Sequence, residues 1–133
     1  MLIPSFPALS GFFAVGLGAM LGAWMRWGMS VWLNPRFENL PLGTLAVNLL
    51  GGYCIGFAIA WFAHHTSAAP EWRLFFITGF LGALTTFSAF SAEVLNQLIH
   101  GRYLWALATT LAHVAGSLFA AGLGWVTWKM LHA

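Results

Sequence analysis

Residues 79 to 93 read GFLGALTTFSAFSAE, and this stretch decides how the chain is built. It lies largely within a run, residues 74 to 92, that holds no Asp, Glu, Lys or Arg, so it can enter a bilayer, yet it makes a poor ordinary helix. Gly79 and Gly82 followed by Thr85 and Thr86 invite a local break, and broken backbone inside a membrane persists only where protein or water satisfies its polar groups. Carbonyls freed at such a break can hold a cation. Beyond it, Thr86, Phe90 and Glu93 share one helical face, with Phe87, Ser88 and Ser91 beside it. Glu93, near the far end, has three readings: solvated in a vestibule, paired with an arginine, or a titrating carrier.

Two further runs, residues 39 to 70 and 103 to 128, are also free of charged side chains. A membrane-crossing helix needs roughly 20 apolar residues, which predicts an all-α membrane protein with four transmembrane helices at about 12–33, 44–62, 74–98 and 104–128. The four form a single transmembrane domain over residues 1–133, with the third span broken. Composition agrees: 60% of the 133 residues are hydrophobic and 6% charged, too few charges to cover a water-soluble monomer. The cations Arg26, Arg36, Arg73, Arg102 and Lys129 stand singly, which excludes a phosphate-tracking groove despite the net charge of +2. Cys54, the one cysteine, lies in an apolar run and is read as packing. The first residues lack the basic region of a secretory signal and are expected to belong to the mature protein.

Pro35 and Pro41 bracket the first turn, Pro70 lies in the second, and His100, Gly101 and Arg102 form the third. Trp32, Trp61, Trp72, Trp105 and Trp128 fall near span ends, where indoles prefer the headgroup level; Trp24 and Trp27 lie deeper and are read as packing. With four spans, Arg73 and Lys129 share one side of the membrane and Arg36 and Arg102 the other, where Arg26, in the first span but nearer the first turn, can count as a third. So little bias allows insertion in both senses, and opposite copies can pair as an antiparallel dimer. Four helices leave no room for a lined conduit at their centre, so a transport site needs a second copy. Gly18 with Gly22, and Gly52 with Gly56, are small-xxx-small pairs that suit packing within a monomer or across a dimer.

Several polar groups sit where lipid does not tolerate them unpartnered. Arg26, in GAWMRWG, either snorkels to an interface or attracts anions at a pore mouth. Thr44, Asn48, Gly52 and Gly56 recur every fourth residue and form one small, polar face of the second span; Asn48 is either interhelical glue or a donor to a guest. Tyr103, Thr110, His113, Ser117 and Gly124 make a similar stripe on the fourth span, lining a hydrated path or bonding neighbouring helices. His64, His65, His100 and His132 are too dispersed for a metal site. A hydrolase would need a nucleophile, a base and an orienting acid, and Ser88 or Ser91 with His113 lacks the acid, so the chain is not expected to be an enzyme. A cation exporter would want a carboxylate deep in its chamber, a part only Glu93 can take. The intramembrane groups are mostly donors, which favours an anion path over that rival and over a purely structural subunit.

The chain resembles the Fluc fluoride channel family, also called CrcB. The resemblance spans nearly the whole length: GAWMRWG in the first span, GTLAVNLLGG from Gly43 to Gly52 in the second, and the opening stretch in the third, where TTFSxFS after paired small residues is highly specific. It implies an antiparallel, dual-topology homodimer in a bacterial inner membrane, with two pores that passively export cytoplasmic fluoride, exclude chloride and so lower fluoride toxicity. Residue by residue, Phe87 and Phe90 match the family's pore phenylalanines, Asn48 its pore asparagine and Arg26 its first-span arginine. Gly82 and Thr85 match positions whose carbonyls, from both subunits, hold a central sodium ion. Ser88 resembles the start of a hydroxyl track, and the polar stripes add Thr86, His113, Ser117 and Glu93 to the expected fluoride path. Ala89 stands where the family commonly has a second threonine, which removes a hydroxyl from that track, and Ala83 where glycine is frequent, which stiffens the break.

Overall fold

A computed structural model describes residues 9–133, so the expectation for the first residues lies largely outside what it describes. Helices are the only regular elements among the described residues. Helix α1 (Leu9–Leu33) runs into a tight 3-10 turn, Asn34–Arg36, and α2 covers Leu42–His64. Helix α3, residues 70–84, stops at Thr85; α4 is Phe87–Ile99 and α5 is Tyr103–Leu131. Four helical runs are long and apolar enough to cross a bilayer, the third formed by α3 and α4 together.

The runs extend beyond the sequence-predicted spans at most ends. Pro70 sits at the first helical position and not in the preceding turn, where its missing N–H costs nothing. Helix α2 begins without a side-chain cap of its own. Asn34, from the preceding turn, supplies one: its Oδ1 accepts the N–H groups of Gly43 at 2.7 Å and Thr44 at 3.3 Å. Between α4 and α5 the chain reverses at Gly101, whose φ of +70° suits a residue without Cβ; there the Arg102 N–H closes back on the Gln97 carbonyl at 2.8 Å.

Within α3, Leu74–Leu81 (LFFITGFL) winds as a π-helix, flanked by α-helical turns at Pro70–Arg73 and Gly82–Leu84. Such wide turns are rare and concentrate at functional sites. The wall of this segment against α1 is glycine on both sides. A methyl at Gly18 would lie 2.2 Å from the Phe75 carbonyl oxygen, at Gly22 2.2 Å from that of Phe80, and at Gly79 2.6 Å from that of Val15. Gly52 and Gly56 play the same part between α2 and α5, against the carbonyls of Ser117 and Ala121. The two glycine pairs therefore serve packing inside one chain.

Val47, Leu81 and Leu84 form a small buried core, with Cys54, Ile55 and Phe80 against it. Trp24 and Trp27, read as packing from their depth, are 59% and 69% exposed. The Gly18 and Gly22 face of α1 takes the contact with α3 and leaves the indoles on the outer side. Trp128, expected at the headgroup level, is buried, with the rings of His64, His65 and His132 around it.

Candidate functional site

The third run breaks because two threonines take extended backbone in succession, Thr85 at ψ 155° and Thr86 at φ −149° and ψ 114°. Asn48 of α2 holds the break open. Its Oδ1 accepts the Thr86 N–H at 2.7 Å and its Nδ2 donates to the Thr86 carbonyl at 3.0 Å, a two-point clamp on one peptide residue. Thr86 then caps α4, its Oγ1 accepting the Ala89 N–H at 3.1 Å. On the opposite side Arg26 reaches from α1 and donates from Nε to the Ala83 carbonyl at 2.9 Å. A cation there suits the negative end of α3.

These bonds redistribute the backbone groups of the break. In an unbroken helix the Thr86 N–H would meet the Gly82 carbonyl and the Ala89 N–H the Thr85 carbonyl; here the first goes to Asn48 and the second to the Thr86 hydroxyl. Gly82 and Thr85 thus lose their usual donors, while the Ala83 carbonyl is taken by Arg26. The first pair is the one expected to face a cation.

Beside the break lies an open cleft of about 430 Å³, lined by Asn48, Gly51, Gly82, Thr85, Thr86, Phe87, Phe90, His113 and Ser117, among others. The two phenylalanines meet edge to face, centroids 5.4 Å apart at 68°. Their settings differ: Phe90 is 7% exposed and Phe87 76%. Phe90 stacks on the His113 imidazole at 4.7 Å and 28°. His113 is buried, and its Nδ1 takes a hydrogen bond from Asn48 Nδ2 at 3.0 Å.

The remaining sequence-predicted residues lie around this cleft rather than in its lining. Arg26 is behind the break, at the Ala83 carbonyl. Ser88 is exposed, its Oγ 3.3 Å from Thr86 Oγ1. Among the described residues Glu93 pairs with no arginine; its Oε1 accepts from the Thr44 hydroxyl, and its Oε2 is buried with no partner there. Tyr103 is 68% exposed, and Thr110 turns its hydroxyl onto the Ala106 carbonyl, so the α5 stripe contributes His113 and Ser117 alone to the lining. Neither serine of the imagined dyad bonds His113, since Ser91 Oγ donates to the Phe87 carbonyl. Two buried groups had no sequence signal: Gln97 donates to the Asn39 carbonyl at 2.9 Å and to Thr109 Oγ1 at 3.0 Å, tying α4 to α5 and to the first turn. A polar residue at a fully apolar helix register is the only trace such a pair leaves in a sequence.

Comparison with known proteins adds a family. The model described as CrcB-like protein, Camphor Resistance (CrcB), matches residues 13–125. A protein of Thiobacillus denitrificans named fluoride-specific ion channel FluC is 54% identical over 123 residues, 92% of this chain and 99% of that one. A protein of the same name from Cupriavidus pinatubonensis is 58% identical over 121 residues, covering 91% and 96%. Another, from Pseudomonas putida, is 54% identical over 123 residues, covering 92% and 97%.

Proposed function

The chain belongs to the CrcB-like family and is a multi-pass membrane protein, and from that premise we propose that it is a fluoride-selective channel of the bacterial inner membrane. It lets cytoplasmic fluoride out down its electrochemical gradient and catalyses no reaction. Relatives that match almost end to end carry that name. The observation that carries the reading within this chain is the cleft at the broken third run, where ring edges, amide and imidazole meet without a charged partner.

Fluoride is small and strongly hydrated, so a pore must replace its water with closely placed donors. The edge of an aromatic ring carries partial positive charge, and Phe87 and Phe90 offer such edges one helical turn apart. The positive end of α4 starts at the same place. Asn48, Thr86, His113 and Ser117 supply the polar wall, with Ser88 beside it, Glu93 further along α4 and Arg26 biasing the break towards anions. An inside-negative potential, worth ~2.3 kcal/mol per charge per 100 mV, drives the anion outward without a coupling ion.

The working unit in this reading is an antiparallel homodimer inserted in both senses. Its support is the near balance of cations between the two sides in the sequence, a cleft open on one flank and a phenylalanine three-quarters exposed at that opening. A second copy covers Phe87 and closes the path. The Gly82 and Thr85 carbonyls, deprived of their helical donors, suit a sodium ion held between two copies, where it would offset the cost of bringing an anion nearby.

Efflux from proteoliposomes that contain this protein alone tests the proposal. Fluoride is expected to leave and chloride to stay, and Phe87→Ile or Phe90→Ile is expected to remove most of the fluoride flux. Undiminished flux in both variants overturns the ring-edge mechanism, and proton-coupled uptake of an organic cation overturns the function.

A further inference from the structure

The protons of the Asn48 cluster can be placed one by one. The Thr86 backbone N–H can only donate, so the Asn48 atom 2.7 Å from it is the amide oxygen. The amide nitrogen then faces both the Thr86 carbonyl and His113 Nδ1, each at 3.0 Å. An amide nitrogen has two hydrogens and no lone pair to offer. Both hydrogens are committed, and His113 Nδ1 must be an acceptor. The imidazole is therefore neutral and carries its single proton on Nε2.

That Nε2–H is a buried donor with no partner among the described residues, on a side chain only 3% exposed that lines the cleft. Stacking on Phe90 fixes the ring plane. A donor stranded in this way costs free energy unless something accepts from it. We propose that His113, locked by Asn48 as the Nε2–H tautomer, is the side-chain donor that the cleft presents to the halide, and that Asn48 acts as a positioning residue, one of its hydrogens spent on the Thr86 carbonyl and the other on His113. The inference rests on the channel reading above.

Nitrogen-15 NMR of the histidine-labelled protein in lipid is the deciding measurement. The expected spectrum shows an unprotonated Nδ1 and a protonated Nε2 at His113, and sodium fluoride, unlike sodium chloride, displaces the Nε2 signal. Flux gives the second readout. His113→Phe keeps a ring to stack on Phe90 but has no donor, and is expected to slow fluoride efflux by about tenfold or more, the loss typical of one hydrogen bond to a charged group. His113→Gln, whose amide can accept from Asn48 and donate onward, is expected to recover much of the rate. A protonated Nδ1, an Nε2 signal indifferent to fluoride, or His113→Phe at full speed overturns the proposal. The spectra need no variant to fold, and an unaltered protein that passes no fluoride would sink the channel reading while leaving the tautomer measurable.

Discussion

At the scale of single residues, what matters most is the absence of a side chain. A methyl at Gly56 would lie 1.9 Å from the Ala121 carbonyl oxygen, and one at Gly124 2.0 Å from that of Tyr53. Backbone cannot swing aside as a flexible side chain can. Gly56→Ala is expected to lower stability by about 1–3 kcal/mol, the usual penalty for overpacking, seen as a fall in the thermal midpoint in detergent. Gly122→Ala, with nothing within 4 Å of the added carbon, is expected to leave the midpoint unchanged or raise it. Thr86→Val removes the oxygen that caps α4 and should cost about 1 kcal/mol, with faster amide exchange at Ala89 as its local signature. The small-xxx-small spacing was legible in the sequence, but not its target, because glycine records closeness without recording to what.

At the scale of elements, the break between α3 and α4 was legible because glycine and threonine are poor helix formers in an otherwise apolar run. The groups that hold it were not. Asn48 and Thr86 are 38 positions apart, Arg26 and Ala83 57, and no local pattern announces a contact at that separation. Nor did the sequence reveal the wide helix at Leu74–Leu81: every residue but Thr78 and Gly79 is a large hydrophobe, so no polar position marks the period. The sequence makes Arg26 a snorkelling or anion-attracting cation, and its bond to the Ala83 carbonyl adds the work of closing a helix end. Arg26→Gln, which loses the charge but keeps an amide donor, is expected to cost about 1 kcal/mol or more. Faster hydrogen exchange in residues 79–84 should accompany it, with exchange in α5 unchanged.

For the whole molecule, composition and charge-free runs were enough to give four spans, since lipid forbids most alternatives. They could not give the packing order, in which α1 serves α3 and α2 serves α5, because the glycine pairs and polar faces of the spans do not say which neighbour they meet. The near balance of cations between the two sides bears on assembly. Three lysines added to the turn between α1 and α2 should fix one orientation under the positive-inside tendency. Such a variant is expected to lose fluoride flux when expressed alone and to regain it when mixed with one biased the opposite way. Reporter fusions at the C-terminus read the orientation, and full activity from a singly oriented population would contradict the antiparallel pairing. On the proposed sodium-bridged pairing, replacing sodium by a bulky organic cation is expected to lower the cross-linking yield between copies, and an unchanged yield would count against the bridge.

The wide turns of Leu74–Leu81 have a geometric corollary. Each residue of such a coil turns the chain by less than the ~100° of a regular helix, so everything downstream is indexed to that slack. Rewinding the same eight residues as an ordinary helix would add rotation at every step and carry the two threonines round the axis, away from the asparagine that grips them. The commoner winding, at unchanged length, would be a misaligned one.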